Sequence, residues 1–207
     1  MTPSSKPRIA ILISGRGSNM LALIQAAEQA FFPAEIGLVL SNTPHAEGLA
    51  IAKAHHIPTH VEDHTLYKKN RQSHEEAIHA VLKQANIELV CLAGYMRMLS
   101  DYLVTQWEGK MLNIHPSLLP TFPGLNTHKR ALEAGVKIHG CSVHLVTEIM
   151  DDGPILGQAA VPVLPDDTEK SLALRVLEQE HKLYPRVIKH FIERASAHPK
   201  GEFLLNG

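Results

Sequence analysis

No stretch of the sequence approaches the roughly 18 consecutive apolar residues that a membrane-spanning helix needs, and Met1 to Lys6 is too short and polar for a secretory signal. The expectation is a cytoplasmic chain with no membrane partner. Cysteine is scarce, with Cys91 and Cys141 the two examples. Both sit in strand-like apolar runs, which reads as two reduced, buried thiols rather than a disulfide or a nucleophile. Neither sign of charge is in excess: 20 Lys and Arg against 21 Asp and Glu leave a formal net charge of -1, too little field to hold a nucleic acid. Internal repeats, low-complexity tracts and linkers are also missing. What remains is a chain of 207 residues, 44% hydrophobic and 20% charged, the composition of an ordinary globular protein long enough to bury a real core.

Histidine is the residue in surplus, with 14 copies. His56, His60 and His64 recur every four residues, a spacing that on a helix would make a metal-binding face. Pro58 breaks that helix, and no cysteine or second acidic ligand completes a site, so solvated loop histidines are expected and no metal.

Apolar runs rich in Val, Ile and Leu alternate with helical patterns, the signature of parallel strands covered on both faces. Strands are expected at Arg8 to Ser14, Glu35 to Ser41, Thr59 to Glu62, Glu88 to Ala93 and Lys110 to His115, with helices near Asn19 to Ala30, Ala46 to His55 and Arg71 to Gln84. Two longer strands, Ile138 to Thr147 and Ile155 to Val163, flank the acidic turn Glu148 to Pro154 and should pair as a hairpin. A final helical pattern runs from Glu169 to Arg194, where Pro185 should kink or interrupt it. The fold class is therefore α/β: an open, mostly parallel, Rossmann-like sheet flanked by helices and mixed towards its C-terminal part.

Two motifs carry chemistry. The first strand runs through Ser14-Gly15-Arg16-Gly17-Ser18-Asn19 into a helix, so free backbone N–H groups and the positive end of a helix dipole converge there. No Gly-Lys-Ser/Thr follows, and Met20 replaces the third glycine of a dinucleotide fingerprint, which leaves a single phosphate as the expected anion. The plainer alternative is a tight turn capped by Ser18 or Asn19. At the end of the fifth strand, Asn113 and His115 are two residues apart and point to the same side, beyond the carboxyl ends of the strands where α/β sheets collect ligands.

The run Asn113 to Gly124, with Leu112-Asn113-Ile114-His115-Pro116 followed by Ser117-Leu118-Leu119-Pro120-Thr121-Phe122-Pro123-Gly124, resembles the hallmark of the formyltetrahydrofolate-dependent formyl transferases. The opening Ile13 to Asn19 is similar to the phosphate loop of the family's glycinamide ribonucleotide branch. The likeness extends from about Ile9 to Phe191 and takes in His139-Gly140-Cys141-Ser142-Val143-His144, Met150-Asp151-Asp152-Gly153-Pro154, Ala93 to Ser100 and Gln179-Glu180-His181 with Tyr184-Pro185.

This resemblance implies one formyl transferase domain over 1–207, with a phosphate-binding half at about 8–100 and a catalytic and folate-binding half at about 101–195. It implies formyl transfer from 10-formyltetrahydrofolate to the amine of glycinamide ribonucleotide, with no metal, and it leaves a homodimer open. Asn113, His115 and Asp151 match the family's catalytic group. Asn113 and His115 would donate to the formyl oxygen as it gains charge, and Asp151 would favour the charged imidazole and carry the amine proton. An Asp-Asp-Gly-Pro turn is also what a hairpin would use for its own sake. Gly17, Ser18 and Asn19 match the phosphate contacts, and Glu180 the carboxylate that holds the sugar hydroxyls. Arg71, Met96, Arg97, Met98 and Leu99 match the folate side, to which Asn113 also belongs. Asn126, Leu177 and Asp152 stand where the family carries histidine, glutamine and glycine. Two sister activities, a folate deformylase with an added N-terminal domain and a tRNA formyltransferase with an added C-terminal one, would need extensions beyond this sequence. A non-catalytic folate- or nucleotide-binding module would keep the loop and lose the polar group at strand five.

Overall fold

In a computed structural model, which describes residues 6–68 and 70–197, seven strands form one sheet. In chain order the elements are β1 (Arg8–Ile13), α1 (Ser18–Ala27), β2 (Glu35–Ser41), α2 (Gly48–Ala54), β3 (Thr59–Val61), a short 3-10 helix (His64–Tyr67), α3 (Arg71–Gln84), β4 (Leu89–Leu92), α4 (Asp101–Gln106), β5 (Met111–His115), α5 (Thr127–Glu133), β6 (Ile138–Leu145), β7 (Ile155–Pro162) and α6 (Glu169–Ala197). The spatial order is β3-β2-β1-β4-β5-β6-β7. The first five are parallel; β6 runs antiparallel to both β5 and β7, as the hairpin reading requires.

Strand β1 shows why the sheet is covered on both sides. Ile9, Ile11 and Ile13 belong to one buried cluster, with side chains from α1, α2, α5 and α6, while the alternate residues Ala10 and Leu12 belong to the other, with Ile78 and Leu82 of α3 and Leu103 of α4. A side-chain period of two on a strand apolar at every position can only fill two cores. Gly153 marks the tight end of the β6–β7 connection, since a Cβ there would stand 1.8 Å from the carbonyl oxygen of Leu145.

Interruption at Pro185 and the solvated-loop reading of the histidines need correction, and two short helices were missed. Pro185 lies inside α6, which continues past it to Ala197. Proline removes one backbone donor, but the helix is clamped around it: Tyr184 is fully buried, its hydroxyl reaching Leu92 O at 3.0 Å and Leu112 O at 3.1 Å, and Ile188 is fully buried one turn on. Packing of an apolar face outweighs the loss of one rung. Of the three histidines, only His56 is exposed. His60 lies on β3 and meets Glu62 at 3.0 Å, and His64 Nδ1 donates to Asn42 O at 2.7 Å. Helices α4 and α5 were not foreseen. At six and seven residues they offer too few turns for a period to show.

Both thiols are buried, and desolvation pushes each up to about 12, the inert state expected of them. Among the described residues no helix is long and apolar enough to cross a membrane, and no group of three or more His, Cys, Asp or Glu could hold a metal ion.

Candidate active site

The loop after β1 has the shape its glycines imply. Gly17 adopts φ 75°, and a Cβ there would lie 3.0 Å from Gly48 Cα. Gly17 itself occupies the cap position of α1, with no side-chain cap, so neither Ser18 nor Asn19 serves as the cap foreseen for a mere turn. The first turn of α1 thus keeps free N–H groups. The far side of the loop is pinned where Gly48 N donates to Gly15 O at 3.0 Å.

Asn19, in that first turn, donates its side-chain amide to Glu180 Oε2 at 2.6 Å. Two residues 161 apart in sequence thereby share one spot. Glu180 lies one turn before Tyr184 on α6, so the buried tyrosine that ties this helix to the carbonyls of β4 and β5 also fixes where the carboxylate stands. Burial raises the pKa of Glu180, and the Asn19 bond only partly opposes it.

At the end of β5 the side chains close into a compact cluster. His115 Nε2 lies 3.1 Å from Phe122 O, which can only accept, so that nitrogen carries a proton. Its Nδ1 faces Asp151 Oδ2 at 3.5 Å. The carboxylate also only accepts, so only a doubly protonated ring would donate to Asp151, across a gap longer than a tight charge-assisted bond. Asp151, at φ 56°, accepts the backbone N–H of Gly124 at 2.8 Å, which joins the acidic turn to the loop after β5.

A fourth member, His144 on β6, was quoted in the sequence motif but given no role. Its Nδ1 lies 2.9 Å from Leu145 O and must donate. Burial, the largest influence, lowers its pKa, against smaller opposing effects of Leu145 and Asp151. The neutral ring then presents the Nε2 lone pair to Asn113 Nδ2 at 3.1 Å, while Asp151 Oδ1 lies 3.7 Å from the same nitrogen. One N–H of the Asn113 amide is fixed this way, and the other, with the carbonyl oxygen, has no hydrogen-bond partner among the described residues. The antiparallel register, Asn113 opposite His144, is the signal that could have found this pair.

The segment after β4 is irregular and half exposed: Met96 is 70% and Met98 56% accessible, a cost that apolar side chains bear where something else covers them. It is anchored at its far end by Glu75, a buried carboxylate on α3 that accepts Ser100 N at 2.9 Å and the Ser100 hydroxyl. Sequence reasoning also missed Glu75, since one acidic residue in a polar helix carries no mark. Arg97 lies in the same segment with its Nε buried and unpartnered, and Leu99 packs against the α3–α4 core. The structure therefore brings Asn113, His115 and Asp151 together, and separately Asn19 and Glu180. Arg71 stands exposed at the first residue of α3, bonded to none of them. Of the family departures, Asn126 precedes α5 at φ 56°, Asp152 is exposed in the turn and Leu177 is half-buried on α6.

Known proteins resemble this chain over most of its length. The family described as formyl transferase matches residues 7–188. Phosphoribosylglycinamide formyltransferase of Escherichia coli (strain K12) is 42% identical over 197 residues, which cover 95% of this chain and 92% of that protein. The trifunctional purine biosynthetic protein adenosine-3 of Homo sapiens is 50% identical over 184 residues, 89% of this chain but 18% of its own length, so this chain corresponds to a minor part of that larger protein. The crystal structure of phosphoribosylglycinamide formyltransferase from Brucella melitensis superposes with a TM-score of 0.87 at 50% identity, covering 98% of this chain and 100% of that one. The chain belongs to the formyl transferase family.

Proposed function

We propose that this chain transfers the formyl group of 10-formyltetrahydrofolate to the amine of glycinamide ribonucleotide in the cytoplasm, giving formylglycinamide ribonucleotide and tetrahydrofolate for purine biosynthesis. One observation carries the reading: Asn113, His115, His144 and Asp151 converge at the end of β5, in a chain that matches a bacterial enzyme of that name over 92% of its length.

In the transfer, the substrate amine bonds to the formyl carbon and the bond from that carbon to folate N10 breaks. Negative charge gathers on the formyl oxygen, and the free Asn113 N–H with the Nδ1 proton of His115 meets it. The 3.5 Å gap to Asp151 leaves that proton available to the substrate. The attacking amine loses a proton and N10 gains one, and Asp151 is the carboxylate placed to carry it, directly or through water. The Gly17, Ser18 and Asn19 corner takes the ribose phosphate and Glu180 the sugar hydroxyls. Met96, Arg97, Met98 and Leu99 enclose the folate ring, with Arg71 on the folate side. The division of labour falls near residue 100, phosphate before it and catalysis after it, in one formyl transferase unit.

Incubation with 10-formyltetrahydrofolate and glycinamide ribonucleotide should produce the absorbance of deformylated folate. No signal above the enzyme-free control would overturn the reading. The dephosphorylated nucleoside should be worse by about two orders of magnitude in kcat/KM, from the roughly 1.5–3 kcal/mol of a hydrogen bond to a charged group. Equal use of both would reduce the loop to a turn.

A further inference from the structure

The first residue after β1 does more than begin a loop. Ser14 N donates to Gly94 O at 3.2 Å, and Ser14 Oγ accepts the backbone N–H of Met96 at 2.8 Å. Among the described residues, these are the hydrogen bonds that join the Ser14–Asn19 loop to the Gly94–Leu99 segment. The hydroxyl is not free to turn away. Its own proton goes to Asn42 Oδ1 at 2.5 Å, on a side chain that is 4% exposed at the end of β2, beside His64 Nδ1 at 3.1 Å. One hydroxyl therefore ties together the carboxyl ends of β1, β2 and β4.

The two pieces it joins are otherwise held independently. The loop is pinned on its far side by the Gly48–Gly15 bond, and the segment at its far end by Glu75. Between Met96 and Ser100 the segment has no helix or strand to fix it and carries two exposed methionines. A ligand that immobilises the loop removes part of the freedom of Ser14, and through Met96 N part of the freedom of the segment. The second ligand then meets a surface with less left to order, which is positive coupling, and the coupling acts equally in both directions.

We propose that Ser14 is a positioning residue through which occupancy of the phosphate loop strengthens binding at the Met96–Leu99 segment. The inference rests on the formyl-transfer reading for the identity of the two ligands. It assigns Ser14 no contact with either.

The test uses the non-reacting pair, tetrahydrofolate and glycinamide ribonucleotide, in calorimetry on the full chain. For the wild type, saturating nucleotide should tighten tetrahydrofolate about fivefold or more, the lower end of ordinary allosteric coupling. In Ser14→Ala the ratio should fall to about one, whatever the nucleotide affinity measured alone. In turnover, KM for the formyl folate should rise while kcat changes little. Ser14→Thr keeps the hydroxyl and should keep the ratio. Asn42→Ala, which releases the hydroxyl proton but leaves Ser14 in place, should lower the ratio as well and decides the matter if Ser14→Ala does not fold. A wild-type ratio of one, or a ratio that survives Ser14→Ala or Asn42→Ala, overturns the inference alone. A wild-type protein that binds neither ligand overturns the formyl-transfer reading and the inference with it.

Discussion

The loop after β1 offers its ligand backbone: positive φ at Gly17 and the uncapped start of α1, with Glu180 reaching only the side chain of Asn19 at its edge. The cluster at the end of β5 offers side chains from three places, Asn113 and His115 on β5, His144 on β6 and Asp151 on the turn between β6 and β7. The first sits on the parallel part of the sheet, where a strand must hand over to a helix and N–H groups are left over. The second sits where β5 meets an antiparallel partner, so that side chains directly opposite each other fall within bonding distance. A site made of backbone tolerates exchange of its side chains and resists added bulk. A site made of side chains behaves the other way round.

Replacing Asp151 should have the largest effect. Asp151→Asn keeps the size of the side chain but removes the charge that faces His115 and His144 and the group that carries the amine proton. The expected loss in kcat is about a thousandfold, within the ordinary range for a general acid–base group, at every pH tested. His115→Ala should follow with a loss of at least about a hundredfold in kcat and little change in KM, because contacts to the developing oxyanion act in the transition state. Stopped assays over a pH series check both. A near wild-type Asp151→Asn would return the residue to the role of a hairpin turn.

On the other side of the comparison, bulk at Gly17 should be costly. Gly17→Val puts a branched side chain at φ 75° with its Cβ 3.0 Å from Gly48 Cα, so kcat/KM for the nucleotide should drop about a hundredfold and the melting temperature should fall. Ser18→Ala, one residue later, should cost less than about tenfold, since the backbone N–H groups remain. If Ser18→Ala proved as harmful as Gly17→Val, the loop would be reading its anion with side chains, and the distinction would fail.

The same contrast explains what could be read in advance. Strands β1 to β5 and the hairpin of β6 with β7 are legible because a doubly covered strand is a continuous apolar run, and α3 was foreseen to the residue. The loop is legible because glycines, a strand and a helix stand next to each other in the chain. The partners of Asn113 and His115 are not, because His144 lies 31 positions from the first and Asp151 36 from the second, and only the antiparallel register, a non-local fact, puts them beside β5. Glu180 and Asn19 meet across 161 positions, and nothing local in either marks the other. The family resemblance supplied the names of most of these residues; it gave no role to His144 or Glu75, and it gave Ser14 only as part of the phosphate loop.

Glu180 gives the smallest expected effect on folding and the one with a sign that can be checked. Glu180 is 6% exposed and, among the described residues, its carboxyl has only the neutral amide of Asn19 as a hydrogen-bond partner, so burial raises its pKa above the ordinary 4.5. For a group raised in the folded state, the stabilising contribution is complete below the unfolded value and is lost as pH rises through the folded one. At neutral and higher pH the charged Glu180 therefore works against the fold. Glu180→Gln keeps the shape and can still accept from Asn19, so at pH 8 the variant should melt higher than wild type, by roughly 2–4 °C for each kcal/mol relieved in a chain of this size. The gap should close as pH falls through the raised value of the folded carboxyl and be gone below the unfolded 4.5. Binding should move the opposite way: without a charged acceptor for the sugar hydroxyls, kcat/KM for the nucleotide should fall about tenfold. A variant more stable and less active is what a buried charge kept for its ligand requires. A lower melting temperature at pH 8 would mean that the carboxylate is held by more than Asn19, and the strain assigned to Glu180 would have to be withdrawn.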